Sequence, residues 1–227
     1  MAKTERESKG IYVWEVPVRI FHWVHVAAML ALGVSGYYIG TPFLSSAGEA
    51  YGQYVMGVMR FIHFVAAIFI TVVFALRVYW FFIGNRYSNL LGLLPCSREK
   101  LRGFGRQFAY YTFISSRRPE YLGHNPIAGL TYVGMYILLF IQIITGFALY
   151  AESYTGGLWR SLFGWAFHIA PNNIIRLIHH SLMWIFLVFF MVHLYLAVLN
   201  DLIERSGIVS SIITGYKYPP AEVGEEA

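Results

Sequence analysis

Four long apolar runs dominate this sequence and limit what the chain can fold into. They extend from Phe21 to Ile39, Phe61 to Ile83, Ile127 to Tyr150 and Ile178 to Leu199. Each is close to the roughly 20 helical residues that cross the hydrocarbon core of a membrane. Of the 227 residues, 57% are hydrophobic and only 13% are charged, a balance that a water-soluble domain of this size does not tolerate. The sequence therefore predicts an all-α membrane protein, a four-transmembrane-helix bundle that forms a single domain over residues 1–227.

Positively charged residues predict how the chain crosses the membrane. Thirteen lysines and arginines fall in the N-terminal tail, the 84–125 connection and the C-terminal tail, and only three fall between the other span ends. Because basic residues concentrate on the cytoplasmic side, both termini are expected to face the cytoplasm. The same bias accounts for the net charge of +5 without any nucleic-acid partner.

Histidines inside the apolar runs are the candidates for chemistry. His179 and His193 are 14 residues apart, so on a helix they return to within roughly 40° of one face and lie about 21 Å apart along the axis. Since successive spans run in opposite directions, His63 shares the outer depth of His179 and His22 shares the inner depth of His193. Two opposed pairs, His63 with His179 and His22 with His193, are therefore predicted.

Two imidazoles at each of two depths indicate two metal centres. The aliphatic and aromatic surroundings favour a flat macrocycle over a hydrated ion, so two b-type haems with histidine axial ligands are expected. No Cys-x-x-Cys-His motif for covalent attachment occurs. With both axial positions taken, such a centre transfers electrons rather than binding oxygen. Gly33, Gly36 and Gly146 would leave room for a porphyrin edge, although close helix packing explains glycines equally well.

Neighbouring histidines leave the choice of ligand open. His180 adjoins His179, and His25 lies one turn from His22, so either could replace its neighbour. His168, in the outer connection, is interpreted as a surface residue.

Arg77 is the one charge well inside an apolar run. An ion in that position is a functional candidate by default, and pairing with a haem propionate is one interpretation. Extension of the side chain to the inner headgroups is the alternative.

Two connections carry aromatic residues next to the membrane surface. Residues 97–119 mix basic and aromatic side chains, which favours contact with anionic lipid over a specific partner. Residues 151–175 set tryptophan, phenylalanine and leucine among few charges, which suits an interfacial helix or, alternatively, a docking surface.

Short motifs occur in order along the chain and carry a family resemblance. They are VRIFHW (18–23), GVSG (33–36), RFIHF (60–64), GNRYS (84–88), GHNPIA (123–128), ITGFALY (144–150), IHHSLMW (178–184) and VHLY (192–195). From about Tyr12 to Tyr216 the sequence resembles the cytochrome b subunit of membrane-bound nickel–iron uptake hydrogenases. One departure is Ser35-Gly36, where that family commonly has Thr-Gly.

The resemblance implies a role in a bacterial cytoplasmic (inner) membrane. Such a subunit anchors a periplasmic hydrogenase made of an iron–sulfur small subunit and a nickel–iron large subunit, and passes electrons through haem b to menaquinone or ubiquinone. It implies His63 and His179 as ligands of the outer haem, and His22 and His193 as ligands of the inner haem. The single cysteine, Cys96, excludes a hydrogen-cleaving centre in this chain.

The resemblance also places quinone chemistry near the inner haem, where His124 and Asn125 fall. An imidazole that titrates near neutrality suits proton delivery to a reduced quinone. A structural role in capping the loop is the alternative.

Three other functions fit part of the pattern. The same two-haem unit could serve formate dehydrogenase or another periplasmic oxidoreductase. A transporter that binds Zn²⁺ or Fe²⁺ through histidines is disfavoured, because the spans carry no partnering carboxylate. The third alternative is a purely structural anchor.

Overall fold

The chain is helical, with one small two-stranded sheet, over the residues that the computed structural model describes: 10–43, 54–116, 119, 121–153, 156–204 and 206–218. Its elements, in chain order, are β1 (Ile11–Tyr12), α1 (Val16–Gly40), α2 (Val55–Ile83), α3 (Leu90–Leu93), α4 (Arg98–Tyr111), α5 (Pro126–Glu152), α6 (Leu158–Phe163), α7 (Ala166–Ile169), α8 (Asn172–Glu204), α9 (Ile208–Thr214) and β2 (Tyr216–Lys217). Several basic residues used to predict the orientation lie outside the described residues: Lys3, Arg6, Lys9, Arg117, Arg118 and Arg205. The orientation of the termini therefore stays a prediction.

Four of these helices, α1, α2, α5 and α8, are long and apolar enough to cross a membrane. They confirm the four predicted spans and a multi-pass membrane protein. The helices extend beyond the apolar runs; α2, for example, begins at Val55 rather than at Phe61. At 33 residues, α8 is about 50 Å long, against a hydrocarbon core of about 30 Å. The apolar runs therefore predict that each helix exists but do not predict where it ends.

The chain divides into two compact units, and every span contributes a segment to each. The first unit comprises Met1–His22, Arg77–Val133 and Met191–Ala227. The second comprises Trp23–Leu76 and Gly134–Phe190. The single domain stays a prediction.

The core of the second unit is apolar and draws on all four spans. Its buried side chains are Ala28 from α1, Ile70 from α2, Leu139 from α5, and Leu182 and Phe186 from α8. Helices in a membrane associate through such close packing, because lipid tails are as apolar as the side chains themselves.

A short antiparallel ribbon joins the two ends of the described chain in the first unit. Ile11 pairs with Lys217 and Tyr12 with Tyr216. Gly215 precedes the second strand with φ of 90°, and an added Cβ there would lie 2.7 Å from the Tyr12 ring. Only glycine fits this turn, which brings the C-terminal strand beside the start of α1.

The 151–175 connection differs from the single interfacial helix that we expected. It forms two short helices, α6 and α7, which are separated at Gly164 and Trp165. Glycine has a low helix propensity, and a Cβ at Gly164 would lie 2.4 Å from the Arg160 carbonyl oxygen. The interfacial role and the docking role of this connection both stay predictions.

Candidate functional site

Two of the four predicted ligand histidines meet inside the second unit. His63 on α2 and His179 on α8 are both half-buried. Their ring centres lie 6.5 Å apart, with the ring planes at 64° to each other. The predicted outer pair is therefore brought together.

Hydroxyl groups orient both rings of this pair. Ser35 Oγ lies 3.0 Å from His63 Nδ1, and Thr145 Oγ1 lies 3.1 Å from His179 Nδ1. Each hydroxyl also donates to a carbonyl oxygen of the preceding turn of its own helix. With its proton used in that bond, the oxygen accepts from Nδ1–H. Both imidazoles are thereby held as the tautomer whose Nε2 carries the lone pair, as a metal ligand requires.

A glycine follows each of these hydroxyl residues and makes space for the ring. A Cβ added to Gly36 would lie 3.1 Å from Cε1 of His63, and one added to Gly146 would lie 3.0 Å from Cε1 of His179. Room for a porphyrin edge and close helix packing were equally good explanations of these glycines, and both glycines lie against the imidazoles. A Cβ at Gly33 would meet nothing within 4 Å among the described residues.

The hydroxyl partners are absent from the sequence-based predictions, although the sequence carries a signal for them. The dipeptides Ser35-Gly36 and Thr145-Gly146 repeat one pattern, a hydroxyl residue followed by glycine, in the first and third spans. The departure from Thr-Gly to Ser35-Gly36 keeps the hydroxyl that the neighbouring imidazole uses.

The other two predicted ligands meet inside the first unit. His22 on α1 and His193 on α8 have ring centres 6.3 Å apart and ring planes at 54°. His22 is half-buried, and His193 is exposed.

Both pairs fit an iron atom held between two imidazoles. With a metal–nitrogen bond of about 2.0–2.1 Å, two imidazoles on opposite sides of one ion have ring centres roughly 6 Å apart. Among the residues that the structure describes, no group of three or more histidine, cysteine or acidic side chains could hold a metal ion. Two nitrogens alone leave a bare ion short of ligands, whereas a porphyrin brings four nitrogens of its own. The residues present therefore fit haem.

The neighbouring histidines make other contacts. Nε2 of His25 lies 3.4 Å from the hydroxyl of Tyr136. His180 is exposed, and its ring lies 3.2 Å from where a Cβ would stand on Gly40. The choice of His22 over His25 and of His179 over His180 stays a prediction. His168 is exposed, as expected of a surface residue.

Arg77 is buried in the first unit rather than extended to a membrane surface. Its side chain is 1% exposed. Nε donates to the Tyr132 hydroxyl, Nη2 donates to the Ser88 carbonyl oxygen, and the guanidinium lies 4.3 Å from the ring centre of Phe81. Nη1 is buried and makes no hydrogen bond to any residue that the structure describes. A buried cation with one unused hydrogen-bond donor, here Nη1, is suited to binding an anionic group.

His124 lies in the same unit, between aromatic rings. Its ring centre is 4.8 Å from that of Trp14 and 5.6 Å from that of Tyr132. Nδ1 is buried and makes no hydrogen bond within the described part of the chain. The sequence did not predict a role for Trp14, because Trp14 and His124 are far apart along the chain and only the fold brings them into contact.

The expectation that His124 titrates near neutrality is wrong. Burial lowers the pKa of this imidazole to about 4, and the charges of Arg77, Lys217, His193 and His22 act in the same direction. Low-polarity surroundings disfavour the imidazolium form, so His124 is neutral at pH 7.

Lys217 is a second buried cation near His124, and the sequence analysis missed it. It is 6% exposed, and its ammonium donates to the Tyr121 carbonyl oxygen at 3.2 Å. The ribbon that pairs β1 with β2 carries it there from the C-terminal end of the described chain.

Asn125 has a capping role at the start of α5. Its Oδ1 accepts from the Ala128 N–H at 2.8 Å, and its Nδ2 donates to the Tyr111 hydroxyl at 3.3 Å. An asparagine before a proline that begins a helix is a common N-terminal signal.

Glu15 fastens the start of α1 to the end of α2. Its Oε2 accepts from Trp80 Nε1, the Asn85 N–H and Ser88 Oγ, each at 2.9 Å. Burial by itself raises the pKa of this carboxyl, but the hydrogen bonds and the charge of Arg77 outweigh it and lower the pKa below its ordinary value. Glu15 is therefore ionised at pH 7.

Comparisons with known proteins found a matching family model and several similar proteins. The family model for prokaryotic cytochrome b561 matches residues 13–215. A probable Ni/Fe-hydrogenase B-type cytochrome subunit of Rhizobium leguminosarum bv. viciae is 43% identical over 213 residues, covering 92% of this chain and 89% of the relative. A protein of the same description from Bradyrhizobium diazoefficiens is 41% identical, with 90% and 85% covered. The probable Ni/Fe-hydrogenase 1 B-type cytochrome subunit of Escherichia coli K12 is 37% identical, with 91% and 90% covered.

Proposed function

The chain belongs to the prokaryotic cytochrome b561 family, and on that premise we propose that it carries electrons from a nickel–iron hydrogenase through two b haems to membrane quinone. In this proposal the hydrogenase's iron–sulfur small subunit is the donor and its large subunit cleaves hydrogen. The chain is then the electron-transfer subunit of a hydrogen:quinone oxidoreductase in the bacterial inner membrane.

One observation carries the proposal: two histidine pairs each have the separation of imidazoles that share one iron. The ring centres lie 6.5 Å apart for His63 and His179 and 6.3 Å apart for His22 and His193. The relatives named as B-type cytochromes support haem b as the bound group. When bound, haem supplies a one-electron carrier whose iron changes oxidation state without releasing either axial ligand.

The remaining residues would tune and seat the haems. Ser35 and Thr145 hold the outer pair with Nδ1–H donated, which raises the basicity of Nε2. Arg77, buried and with Nη1 available, would receive a propionate of the inner haem. A propionate there would also offset the buried charge of Lys217.

His124 is the proposed residue for quinone reduction, with Asn125 positioning it. Because it is neutral at pH 7, it would act by donating an N–H hydrogen bond to a quinone oxygen and relaying a proton through the ring, rather than as a standing imidazolium. Trp14 and Tyr132 beside it provide the flat apolar faces that a quinone ring favours.

The distribution of basic residues gives the proposed orientation of the chain in the membrane. In that orientation the inner haem and His124 lie toward the cytoplasm. The His63 and His179 site then lies toward the periplasmic hydrogenase. Electrons would cross from that site to the inner haem, and quinone would be reduced on the cytoplasmic side.

The test uses the chain copurified with its hydrogenase partners. Hydrogen should reduce the haems, and added quinone should reoxidise them. In His124→Ala, hydrogen should still reduce both haems while reoxidation by quinone slows by about a hundredfold or more, the scale of a lost proton-transfer group. Unchanged quinone turnover would remove His124 from the proposal.

Copurification of the chain with formate dehydrogenase, rather than with a hydrogenase, would assign the two-haem unit to that alternative donor. A purified protein without haem would favour a transporter or a structural anchor.

A further inference from the structure

The 84–125 connection contains a surface helix, α4, which joins the ends of two spans. α2 ends at Ile83 and α5 begins at Pro126, so both helix ends and α4 between them belong to one membrane face. α4 runs from Arg98 to Tyr111, 14 residues, and lies entirely in the first unit.

The outward side of α4 carries two parallel rows of different chemistry. Arg98, Arg102 and Arg106 are exposed and four residues apart, so they form one basic row. Leu101 is 62% exposed and Phe108 is 54% exposed, and at a spacing of seven residues they form an adjacent apolar row. Among the side chains that the structure describes, which exclude that of Glu99, none forms a salt bridge with these three arginines.

The apolar row continues past the helix end through a left-handed residue. Phe113 has φ of 60°, a conformation that residues other than glycine seldom adopt. Its N–H bonds to the Tyr110 carbonyl oxygen, and that of Ile114 bonds to the Ala109 carbonyl oxygen. This turn leaves Phe113 94% exposed and Ile114 79% exposed.

The inward side of α4 packs against protein. Gln107 is 3% exposed, and Lys100 donates to the carbonyl oxygens of Leu91 and Gly92. The exposed rows are therefore the free face of a docked helix.

We propose that this face of α4, with Phe113 and Ile114, is a membrane-surface site for anionic phospholipid, whose headgroups bind Arg98, Arg102 and Arg106. A helix that lies flat on a bilayer needs apolar side chains for the acyl region and, beside them, basic side chains for the headgroups. Anionic lipid is favoured over a protein partner because α4 is tied at both ends to spans, which keeps its apolar row at the bilayer. The three exposed arginines of this row complement an anionic headgroup.

The bound lipid would also position the segment that carries His124. Tyr121 donates its hydroxyl proton to the Gly103 carbonyl oxygen at 3.2 Å, and Asn125 donates to Tyr111 at 3.3 Å. Both bonds connect α4 to residues 121–125. This consequence, unlike the lipid site itself, rests on the proposed function, and it predicts faster quinone reduction in anionic than in neutral membranes.

The lipid site is tested on the purified, haem-loaded full chain in equimolar vesicles of phosphatidylglycerol and phosphatidylcholine. The relative retention of phosphatidylglycerol is measured for R102Q/R106Q and for the matched control R60Q/R160Q, which removes two exposed arginines elsewhere. The proposal predicts a loss of about fivefold for each α4 arginine removed and little change in the control. High salt should reduce the preference of the unaltered chain. Equal losses in the two variants would overturn the proposal.

The depth of the apolar row in the bilayer is tested with nitroxide spin labels. The single cysteine of the chain, Cys96, is first replaced by serine. Labels are then attached at three new cysteines, Leu101→Cys, Phe113→Cys and Arg106→Cys. Labels at 101 and 113 should be more accessible to oxygen than to a water-soluble nickel reagent, and the label at 106 should show the reverse. Labels at 101 and 113 that face water, or that are shielded from both reagents by protein, would refute the lipid site. If the lipid site passes both tests but quinone reduction is no faster in anionic than in neutral membranes, only the proposed role of His124 is contradicted.

Discussion

Replacing Thr145 with valine removes the hydroxyl that accepts from His179 while nearly preserving the volume of the side chain. In the structure this hydroxyl donates to a carbonyl of its own helix, so it stands as an acceptor toward Nδ1–H. An imidazole whose Nδ1–H is hydrogen-bonded is a stronger donor to iron, and it favours the ferric over the ferrous state. Thr145→Val should therefore raise the midpoint potential of the haem in the second unit.

The magnitude follows from the strength of one hydrogen bond. A net contribution of about 0.5–1.5 kcal/mol, for a couple in which 59 mV is a tenfold change, corresponds to an upward shift of about 20–65 mV. Thr145→Ser should stay close to the unaltered protein, because Ser35 makes the same kind of contact with His63 at 3.0 Å.

Optical redox titration of the purified chain measures this shift. The affected haem is identified as the one that His63→Ala removes. An unchanged or lowered potential in Thr145→Val, or a shift in the haem that depends on His22, would refute the assignment of Thr145 as the partner of His179.

Three further outcomes follow from the same geometry. Gly146→Val should lower haem occupancy in the second unit, measured by absorbance, because even a Cβ would lie 3.0 Å from His179. Gly33→Val is the matched control, since an added Cβ there lies within 4 Å of nothing among the described residues. Arg77→Gln should lower the midpoint potential of the haem in the first unit, since a buried positive charge favours the ferrous state; an unchanged potential would separate Arg77 from that haem. The pKa of Glu15 is lowered by folding, so its ionisation stabilises the protein above the ordinary glutamate pKa, and that contribution is lost as pH falls through the lowered value. Thermal unfolding in mild acid should accordingly be flatter against pH in Glu15→Gln, and parallel curves would contradict this.

The four spans and the histidine pairs could be predicted because the membrane imposes simple rules. A span must be apolar over its whole length, and successive spans reverse direction, so depth can be assigned from the sequence alone. The helix ends could not be placed, because α2 and α8 continue beyond the apolar runs.

The environment of the site was less accessible to sequence reasoning. Ser35 and Thr145 stand in helices where a hydroxyl ordinarily bonds to its own backbone, and only packing shows that each oxygen also accepts from an imidazole. Lys217 reaches the region of His124 through a ribbon that joins distant parts of the chain. Titration of His124 near neutrality was assumed without knowledge of its burial, which lowers its pKa to about 4. The capping role of Asn125 could have been recognised from the proline that follows it.

The count of haems per chain tests the central claim most directly. A pyridine haemochrome assay with quantified protein should give two haems for the unaltered chain, one for His63→Ala, one for His22→Ala and none for the double variant. A single haem in the unaltered protein, or the loss of both haems in either single variant, would contradict two independent histidine pairs.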